Sequence, residues 1–250
     1  MNRALSIALP SATRHVHLKT IGSTNAYALE NDVDWVTADV QTAGRGRRGR
    51  VWSSPPGNLY ASVRLIHEAA TDELLPLRAA LAVHDAVATL LPDAEARLSL
   101  KWPNDLLLDG RKVAGLLLEA RSVGTDRIVA AGFGVNCATH PADAMVRATD
   151  FGAAGFDLDP QQLFRVLAAA LAARLTASDI VAEWRARADG IGSSITVRLP
   201  SREIEGRFTD LAPDGRLVLA RHDGTIEHIA AGDVFFDKPR GTPMTFENRA

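Results

Sequence analysis

Apolar and polar positions alternate along the chain in blocks that predict both strands and helices. Apolar runs of strand length occur at 35–41 and 59–66, and a glycine-rich polar segment separates them. A short helical stretch is expected before the first run, at 26–30. The acidic segment 71–73 predicts the start of a longer helix, because leucine and valine then recur at helical spacing over 74–91.

The middle of the chain has the pattern of an antiparallel sheet followed by helices. Short turns such as Asp109-Gly110 separate four further strand-like runs, which are 98–101, 105–108, 112–120 and 128–136. An alanine- and leucine-rich helix is expected at 160–175, with Asp159 as its N-cap, and another helix at 180–188.

The pattern changes after Gly192, where short strands alternate with tight turns. The expected strands of this part are 195–199, 204–208, 216–220 and 225–229. Such spacing is typical of a small β-barrel. The predicted fold class is therefore α+β, in which a mixed or antiparallel sheet with packed helices precedes the small barrel. We expect domains at 1–190 and 191–237 and a tail at 238–250.

Composition narrows the classes of protein that fit this pattern. The 250 residues are 46% hydrophobic and 23% charged, which excludes fibrous and disordered classes. A formal net charge of -2 argues against a protein that coats nucleic acid. No apolar run approaches the roughly 20 residues that span a bilayer. The single cysteine, Cys137, is expected to be a buried small residue, and the protein is expected to be cytoplasmic.

The densest cationic segment, residues 44–50, reads Gly-Arg-Gly-Arg-Arg-Gly-Arg. Glycine lets a backbone approach a ligand closely, and each arginine offers a planar fork of donors for carboxylate or phosphate oxygens. A ligand loop for anions is one interpretation. A solvated surface loop and a fragment of an arginine-glycine nucleic-acid tract are the alternatives, and the second is weakened because the run does not repeat.

A second dense segment lies in the predicted sheet. Residues 101–105 read Lys-Trp-Pro-Asn-Asp, and residues 111–115 read Arg-Lys-Val-Ala-Gly. A hairpin between them can bring the Asn104 amide, the Asp105 carboxylate and the Lys112 ammonium to one end of the sheet, where the Arg/Gly loop could fold over them. A Trp-Pro turn followed by an ordinary hairpin is the alternative for either half alone.

With these motifs in this order, the chain resembles the biotin protein ligases, also called biotin–acetyl-CoA-carboxylase ligases. The family hallmarks are a Gly-Arg-Gly-Arg-Arg-Gly-Arg loop, a Lys-Trp-Pro-Asn-Asp segment and a Lys-x-Ala-Gly strand, all present here. The resemblance begins at 23–25 and extends to Gly-Phe-Gly-Val-Asn at 132–136. It implies a catalytic domain like those of class II synthetases and an SH3-like barrel at the C-terminus.

The resemblance implies a reaction in two steps. Biotin and MgATP give biotinyl-5'-AMP and pyrophosphate, and a lysine of a biotin carboxyl carrier protein, from acetyl-CoA carboxylase or a related carboxylase, then displaces AMP. Joining a carboxylate to an α-phosphorus forces two anions together, so fixed cations are needed. The expected catalytic cations are Arg45, Arg47 and Lys112. The Arg/Gly loop is expected to order over the adenylate and keep water away from it.

The remaining site residues are also implied by the resemblance. The expected biotin-binding residues are Ser23, Thr24, Asn25, Gln41, Gly44, Arg45, Gly46, Arg47, Lys112 and Gly115. The expected ATP- or adenylate-binding residues are Arg47, Arg48, Arg50, Trp52, Lys101, Asn104, Asp105, Lys112 and Asn136. Asp105 is the candidate Mg²⁺ residue, acting through water or phosphate. Ser23 and Thr24 can also be explained as helix caps.

Two other functions fit parts of the sequence. One is a related ligase for lipoate or another carboxylic acid, and the other is an RNA-binding module that uses the basic loop and the barrel. Only 22 residues precede Ser23, whereas an independently folding domain usually needs roughly 60. We therefore expect the monofunctional type without a DNA-binding domain, with no nucleic-acid or membrane partner. Homodimerisation is left open.

Overall fold

The computed structural model describes residues 14–68, 73–124, 126–142 and 147–236. The chain forms two compact units, the first ending at Asp189 and the second beginning at Gly190. The predicted tail at 238–250 lies outside the described residues.

The first unit contains seven strands and four helices within its described parts. They are β1 (His15–Ile21), α1 (Thr24–Glu30), β2 (Trp35–Gln41), β3 (Leu59–Glu68), α2 (Leu75–Leu90), β4 (Leu98–Lys101), β5 (Asp105–Leu108), β6 (Arg111–Val123), β7 (Asp126–Val135), α3 (Pro160–Thr176) and α4 (Ile180–Ala186). Short 3-10 helices lie at Arg47–Gly49 and Pro92–Arg97.

The seven strands form one mixed sheet in the order β1-β2-β3-β7-β6-β5-β4. β1 pairs with β2 in parallel, and the other neighbours are antiparallel. This agrees with the expected α+β class. One difference in the first unit is the start of α2, which begins at Leu75 because Glu73 lies in a turn and Leu74 occupies the N-cap.

One face of this sheet carries the hydrophobic core. Trp35 of β2 lies 5.2 Å from Phe164 of α3 and 6.1 Å from Phe133 of β7, measured between ring centroids. All three side chains are buried. Because side chains alternate along a strand, Gly132 and Gly134 lie on the face opposite to Phe133. The bulky aromatic residues thus gather on one face. On the other face α1 packs through a small apolar cluster, and the glycines leave the neighbouring part of that face bare.

Hydrogen bonds and ion pairs hold the helices of the first unit together. Asp159 caps α3 as expected, because its Oδ1 accepts a hydrogen bond of 2.6 Å from the Gln162 amide. Arg174 of α3 lies 2.6 Å from carboxylates of both Asp85 on α2 and Glu183 on α4. Two carboxylates therefore share one guanidinium across three helices.

The second unit is an antiparallel sheet. Its strands are β8 (Ser194–Arg198), β9 (Glu203–Leu211), β10 (Leu217–Ala220), β11 (Ile226–Ile229) and β12 (Asp233–Phe236), in the order β11-β10-β9-β8-β12. The last strand was not among the four expected from the sequence. Across residues 190–236 the pairing does not close the sheet, so the barrel stays a prediction. None of the helices described in either unit has the length and apolar character needed to cross a membrane.

Candidate functional site

The bare face of the main sheet is where glycines of neighbouring strands lie side by side. Gly115 of β6 pairs with Gly134 of β7, and the Trp52 ring lies over the pair. A Cβ atom added to Gly134 would lie 2.5 Å from Trp52 Cε2, and one added to Gly115 would lie 3.0 Å from Trp52 Cζ3. Because glycine lacks this atom, a planar group can rest directly on the strand backbone.

The start of α1 is joined to β2 by a pair of hydrogen bonds. The Thr24 amide and Oγ1 both donate to Gln41 Oε1, at 2.9 and 3.1 Å. Gln41 Nε2 in turn donates to Ser54 Oγ at 3.1 Å. Ser23 is the N-cap of α1, and its Oγ accepts from the Ala26 amide at 3.5 Å. The capping interpretation of Ser23 is therefore correct, whereas Thr24 lies inside the helix with its side chain in this network.

Asn25 connects the same helix to β3 and β6. Its Oδ1 accepts a hydrogen bond of 2.7 Å from Ser62 Oγ. Its Nδ2 donates to the Leu117 carbonyl at 3.0 Å and to Glu119 Oε2 at 2.9 Å. A Cβ atom on Gly132 would lie 2.3 Å from Asn25 Oδ1, so glycine is needed there for Asn25 to rest on the sheet. The result is a buried row of donors and acceptors beside the bare face.

The Arg/Gly loop folds back on itself. Arg45 and Val51 form an isolated antiparallel bridge, and the Trp52 amide donates to the Gly44 carbonyl at 2.9 Å. A Cβ atom on Gly44 would lie 2.5 Å from the Trp52 carbonyl oxygen. Gly44 is therefore required for the two arms of the loop to meet at this distance, and their meeting places Trp52 on the sheet.

The outer turn of the loop carries the remaining two glycines and three arginines. The Gly46 amide donates to the Arg50 carbonyl at 2.7 Å, and Arg50 Nε donates to the Arg47 carbonyl at 3.3 Å. Arg48 adopts the left-handed conformation with φ 57°. The side chains of Arg48 and Arg50 are exposed, and their assignment to a nucleotide stays a prediction.

One arginine of the loop contacts the sheet, and another contacts the turn between β4 and β5. Arg45 Nη2 lies 3.1 Å from Glu119 Oε2, and Arg47 Nη1 donates to Asn104 Oδ1 at 3.2 Å. Asn104 is itself buried, and its Nδ2 donates to the Leu116 carbonyl. The structure thus brings the first dense motif against the second, as expected from the sequence.

The central ion pair joins Lys112 and Asp105. Lys112 Nζ lies 2.7 Å from Asp105 Oδ1, and the two side chains are 20% and 16% exposed. The same ammonium lies 5.3 Å from the centre of the Trp52 ring. It also lies beside Gly115, where an added Cβ atom would be 3.0 Å from Nζ. Ammonium, carboxylate and indole therefore meet at the bare face.

Lys101 and Asn136 lie at the same end of the sheet with different surroundings. Lys101 is directly opposite Asp105 in the pairing of β4 and β5. Asn136 is buried, its amide donates to the Val113 carbonyl at 2.7 Å, and its Nδ2 donates to the Thr149 carbonyl at 3.0 Å. Its carboxamide therefore fixes the segment that follows β7, and a contact with nucleotide stays a prediction.

Three parts of this arrangement were not among the expected site residues. They are the hydroxyl of Ser62, the carboxylate of Glu119 and the glycine pair at 132 and 134. Ser62 is a buried hydroxyl in β3, and Glu119 is a half-buried carboxylate in β6. Polar groups in such positions need partners, and their polarity was the available signal. In contrast, Cys137 is buried as expected, and its burial raises the pKa of its thiol to about 12, which excludes a thiolate nucleophile at neutral pH.

The site has the chemistry for an anionic ligand with a flat, polar ring system. Lys112 and Arg47 bring cations to the end of the bare face beside Asp105 and Asn104. Arg45 lies beside the row around Thr24 and Asn25, which offers directed hydrogen bonds, because Glu119 contacts both Arg45 and Asn25. Guanidinium and ammonium groups match carboxylate and phosphate oxygens, and an indole ring stacks on planar groups.

Comparison with known proteins supports the family resemblance seen in the sequence motifs. Residues 18–136 match the Biotin/lipoate A/B protein ligase family, and residues 190–237 match the Biotin protein ligase C terminal domain. The chain is 38% identical to the biotin--[acetyl-CoA-carboxylase] ligase of Paracoccus denitrificans, over 86% of this chain and 97% of that protein. It is 36% identical to the enzyme of the same name from Mycobacterium tuberculosis, over 85% of each.

Solved structures show the same similarity in three dimensions. The biotin protein ligase from Aquifex aeolicus in complex with biotin and ATP superposes with a TM-score of 0.75 and 27% identity, covering 90% of this chain and 99% of that one. The biotin protein ligase from Leishmania major in complex with biotinyl-5-AMP gives a TM-score of 0.59 and 25% identity, covering 87% and 99%. These matches span both compact units, and the chain belongs to the biotin protein ligase family.

Proposed function

We propose that this protein is an ATP-dependent biotin ligase that activates biotin as biotinyl-5'-AMP and transfers it to a lysine of a biotin carboxyl carrier protein. The observation that carries the proposal is the meeting of three sequence motifs at one site. Arg47 contacts Asn104, and Lys112 lies between Asp105 and the Trp52 ring. Relatives that are 38% and 36% identical to this chain are named biotin--[acetyl-CoA-carboxylase] ligases.

The biotin head is assigned to the hydrogen-bonded row at the start of α1. A cyclic urea has one carbonyl oxygen that accepts hydrogen bonds and two N–H groups that donate them. The donors and acceptors that match these groups are supplied by Ser23, Thr24, Asn25 and Gln41. Gly115 lets biotin approach the strand backbone, and Gly44 and Gly46 let the loop follow the aliphatic chain of biotin. Matching such fixed donors and acceptors binds a ring in one orientation.

The adenylation step is assigned to the cations along the bare face. A biotin carboxylate oxygen attacks the α-phosphorus of ATP and forms an oxygen–phosphorus bond. The bond from the α-phosphorus to the bridging oxygen breaks, and pyrophosphate leaves with that electron pair. Arg45 and Arg47 hold the carboxylate and the phosphoryl oxygens, and Lys112 stabilises the charge that develops on the α-phosphoryl group. The remaining residues assigned to the nucleotide are Trp52, Lys101, Asn104, Arg48, Arg50 and Asn136.

The transfer step uses the product of the first. The amine of a carrier lysine attacks the acyl carbon, an amide bond forms and AMP leaves. Before that encounter the mixed anhydride must be kept from water, and we assign this role to the Arg/Gly loop.

Magnesium enters the proposal as a partner of the nucleotide. This ion keeps several waters and borrows substrate oxygens, so one protein carboxylate is sufficient. The described residues hold no cluster of three or more acidic, histidine or cysteine side chains. Asp105 is the carboxylate assigned to it, and there the ion would neutralise phosphate charge.

We also propose the finer organisation predicted from the sequence. The catalytic domain, of the class II synthetase type, is assigned to 1–190 and an SH3-like barrel to 191–237. The division of the chain after Asp189 and the family match at 190–237 support this boundary. Carriers from acetyl-CoA carboxylase or a related carboxylase, a cytoplasmic location and a possible homodimer stay predictions.

A transfer assay tests the function directly. The purified protein is incubated with MgATP, biotin and a biotin-carrier domain, and the carrier is weighed by intact mass spectrometry. The expected result is one added biotinyl group that depends on both ATP and biotin. An added lipoyl group on a lipoyl domain, with no biotinyl group added to the carrier, would replace this proposal with the related lipoate activity.

A further inference from the structure

Glu119 of β6 joins the Arg/Gly loop to the body of the first unit. A single carboxylate oxygen, Oε2, accepts from Asn25 Nδ2 at 2.9 Å and lies 3.1 Å from Arg45 Nη2. The Glu119 side chain is 27% exposed and that of Arg45 is 45% exposed. A loop arginine is thus held by a carboxylate that the fold itself fixes.

The anchor behind Glu119 is rigid. Glu119 lies in the middle of the sheet, where its Cα is paired with that of Ala130 on β7. Asn25, its other partner, is held by Ser62 and by the Leu117 carbonyl. The position of the carboxylate oxygen is therefore set by three strands and a helix.

The contact with Arg45 uses one corner of the guanidinium. This group is planar and carries five N–H donors in a fixed fork, so fixing one nitrogen restricts the direction of the others. Glu119 engages Nη2, which leaves Nη1 and Nε to point elsewhere. A loop side chain that is already oriented loses less conformational entropy when a ligand arrives.

We propose that Glu119 is a positioning residue that orients Arg45 for the carboxylate of biotin, an inference that rests on the proposed function. In this arrangement Glu119 stays bound to one nitrogen while the other nitrogens receive the substrate. In the opposite arrangement Glu119 competes with the substrate for Arg45, and neutralising Glu119 then has the opposite effect on biotin binding. Positioning makes biotin bind more weakly when Glu119 is neutralised, and competition makes it bind more tightly.

The test is a double-mutant cycle on biotin-dependent ATP–pyrophosphate exchange. Glu119→Gln keeps the shape of the side chain and removes its charge, and we expect it to raise the KM for biotin roughly tenfold while kcat changes less than about twofold. In an Arg45→Ala background the same substitution is expected to change this KM by less than about twofold, because its effect acts through Arg45. Glu119→Asp, which draws the carboxylate back by one methylene, should raise the KM in the same way and serves as a second variant if Glu119→Gln unfolds.

Controls separate the possible failures. Glu203→Gln breaks another strand-borne ion pair, to Arg198 in the second unit, and should leave the exchange unchanged. Urea unfolding checks that each variant is folded. A lower KM for biotin in Glu119→Gln, or an equal rise in the Arg45→Ala background, overturns the positioning role. Absence of biotin-dependent exchange in the wild-type protein contradicts the proposed function instead.

Discussion

The ion pair of Lys112 and Asp105 offers the sharpest test of the proposed chemistry. Lys112→Met removes the ammonium and keeps a long unbranched side chain, so Asp105 is left facing the bare sheet without its partner at 2.7 Å. Lys112→Met paired with Asp105→Asn removes both charges. Arg111→Met, a neighbouring exposed cation on β6, is the matched control.

The structure sets the size of the stability effect. At 2.7 Å the gross attraction is ~6 kcal/mol for an effective dielectric constant of about 20, and most of it is offset by desolvation of the two groups. Because both side chains keep some solvent contact, Lys112→Met should lower the free energy of unfolding by about 1–3 kcal/mol. Asp105→Asn in the same chain should recover most of this loss, since no uncompensated carboxylate remains.

The effect on adenylation should follow a different pattern. An electrostatic donor aimed at developing charge is worth about 10²–10³-fold in rate, so Lys112→Met should slow biotin-dependent ATP–pyrophosphate exchange by that factor. The double variant should regain stability and stay slow. Urea unfolding measures the stability, and pyrophosphate exchange measures the rate of adenylation. Exchange at the wild-type rate in Lys112→Met would refute the role given to the ammonium. If the double variant recovered both its stability and its exchange rate, the role of Lys112 would be structural only.

Three further predictions concern the bare face, the loop and the buried thiol. Gly134→Ala should displace the Trp52 ring, shift its fluorescence and weaken ATP binding about tenfold or more, because an added Cβ atom would lie 2.5 Å from the ring. Gly22→Ala is the control, since its Cβ would meet nothing within 4 Å, and an unchanged spectrum in Gly134→Ala contradicts the placement of the ring. Arg47→Ala should release biotinyl-5'-AMP faster than wild type, by about tenfold, in a filter-binding assay of the preformed intermediate, and equal retention would remove Arg47 from this role. Burial raises the pKa of the Cys137 thiol from 9.0 to about 12, so its contribution to stability is full below pH 9 and lost as the pH rises towards 12. Cys137→Ala should therefore flatten the alkaline loss of stability by up to ~4 kcal/mol in urea titrations, and identical pH profiles would contradict this.

Local patterns in the sequence were sufficient for most elements of the fold. The predicted bounds of β2, β4 and β5 agree with those in the structure, because each is an apolar run that ends at polar or turn residues. The strand β12 was missed because only four residues, Asp233–Phe236, form it after a series of similar short runs. The start of α2 was misplaced because its early acidic residues suggested a first turn, whereas Leu74 takes the capping position.

The motifs of the site could be predicted from the sequence, but the register between its paired strands could not. The Arg/Gly loop and the two segments around Asn104 and Lys112 carry their chemistry in their own residue types. The pairing of Gly115 with Gly134 depends on how two long strands align, which no short window of sequence determines. The contact between Arg45 and Glu119 joins positions 74 residues apart, so it follows only from the complete topology.

The ion pairs within this site bear on how it selects a ligand. A cluster of bare cations would attract any polyanion, yet Lys112 and Arg45 each already contact a carboxylate of the protein. An incoming anion gains only the difference between its own contacts and those already made, so charge alone gives it little advantage. A ligand gains more when it also packs against the Trp52 ring beside the bare face and satisfies the hydrogen-bonding row at α1. Selectivity in such a site comes from shape and hydrogen-bond geometry, with the cations reserved for the step in which two anions are brought together.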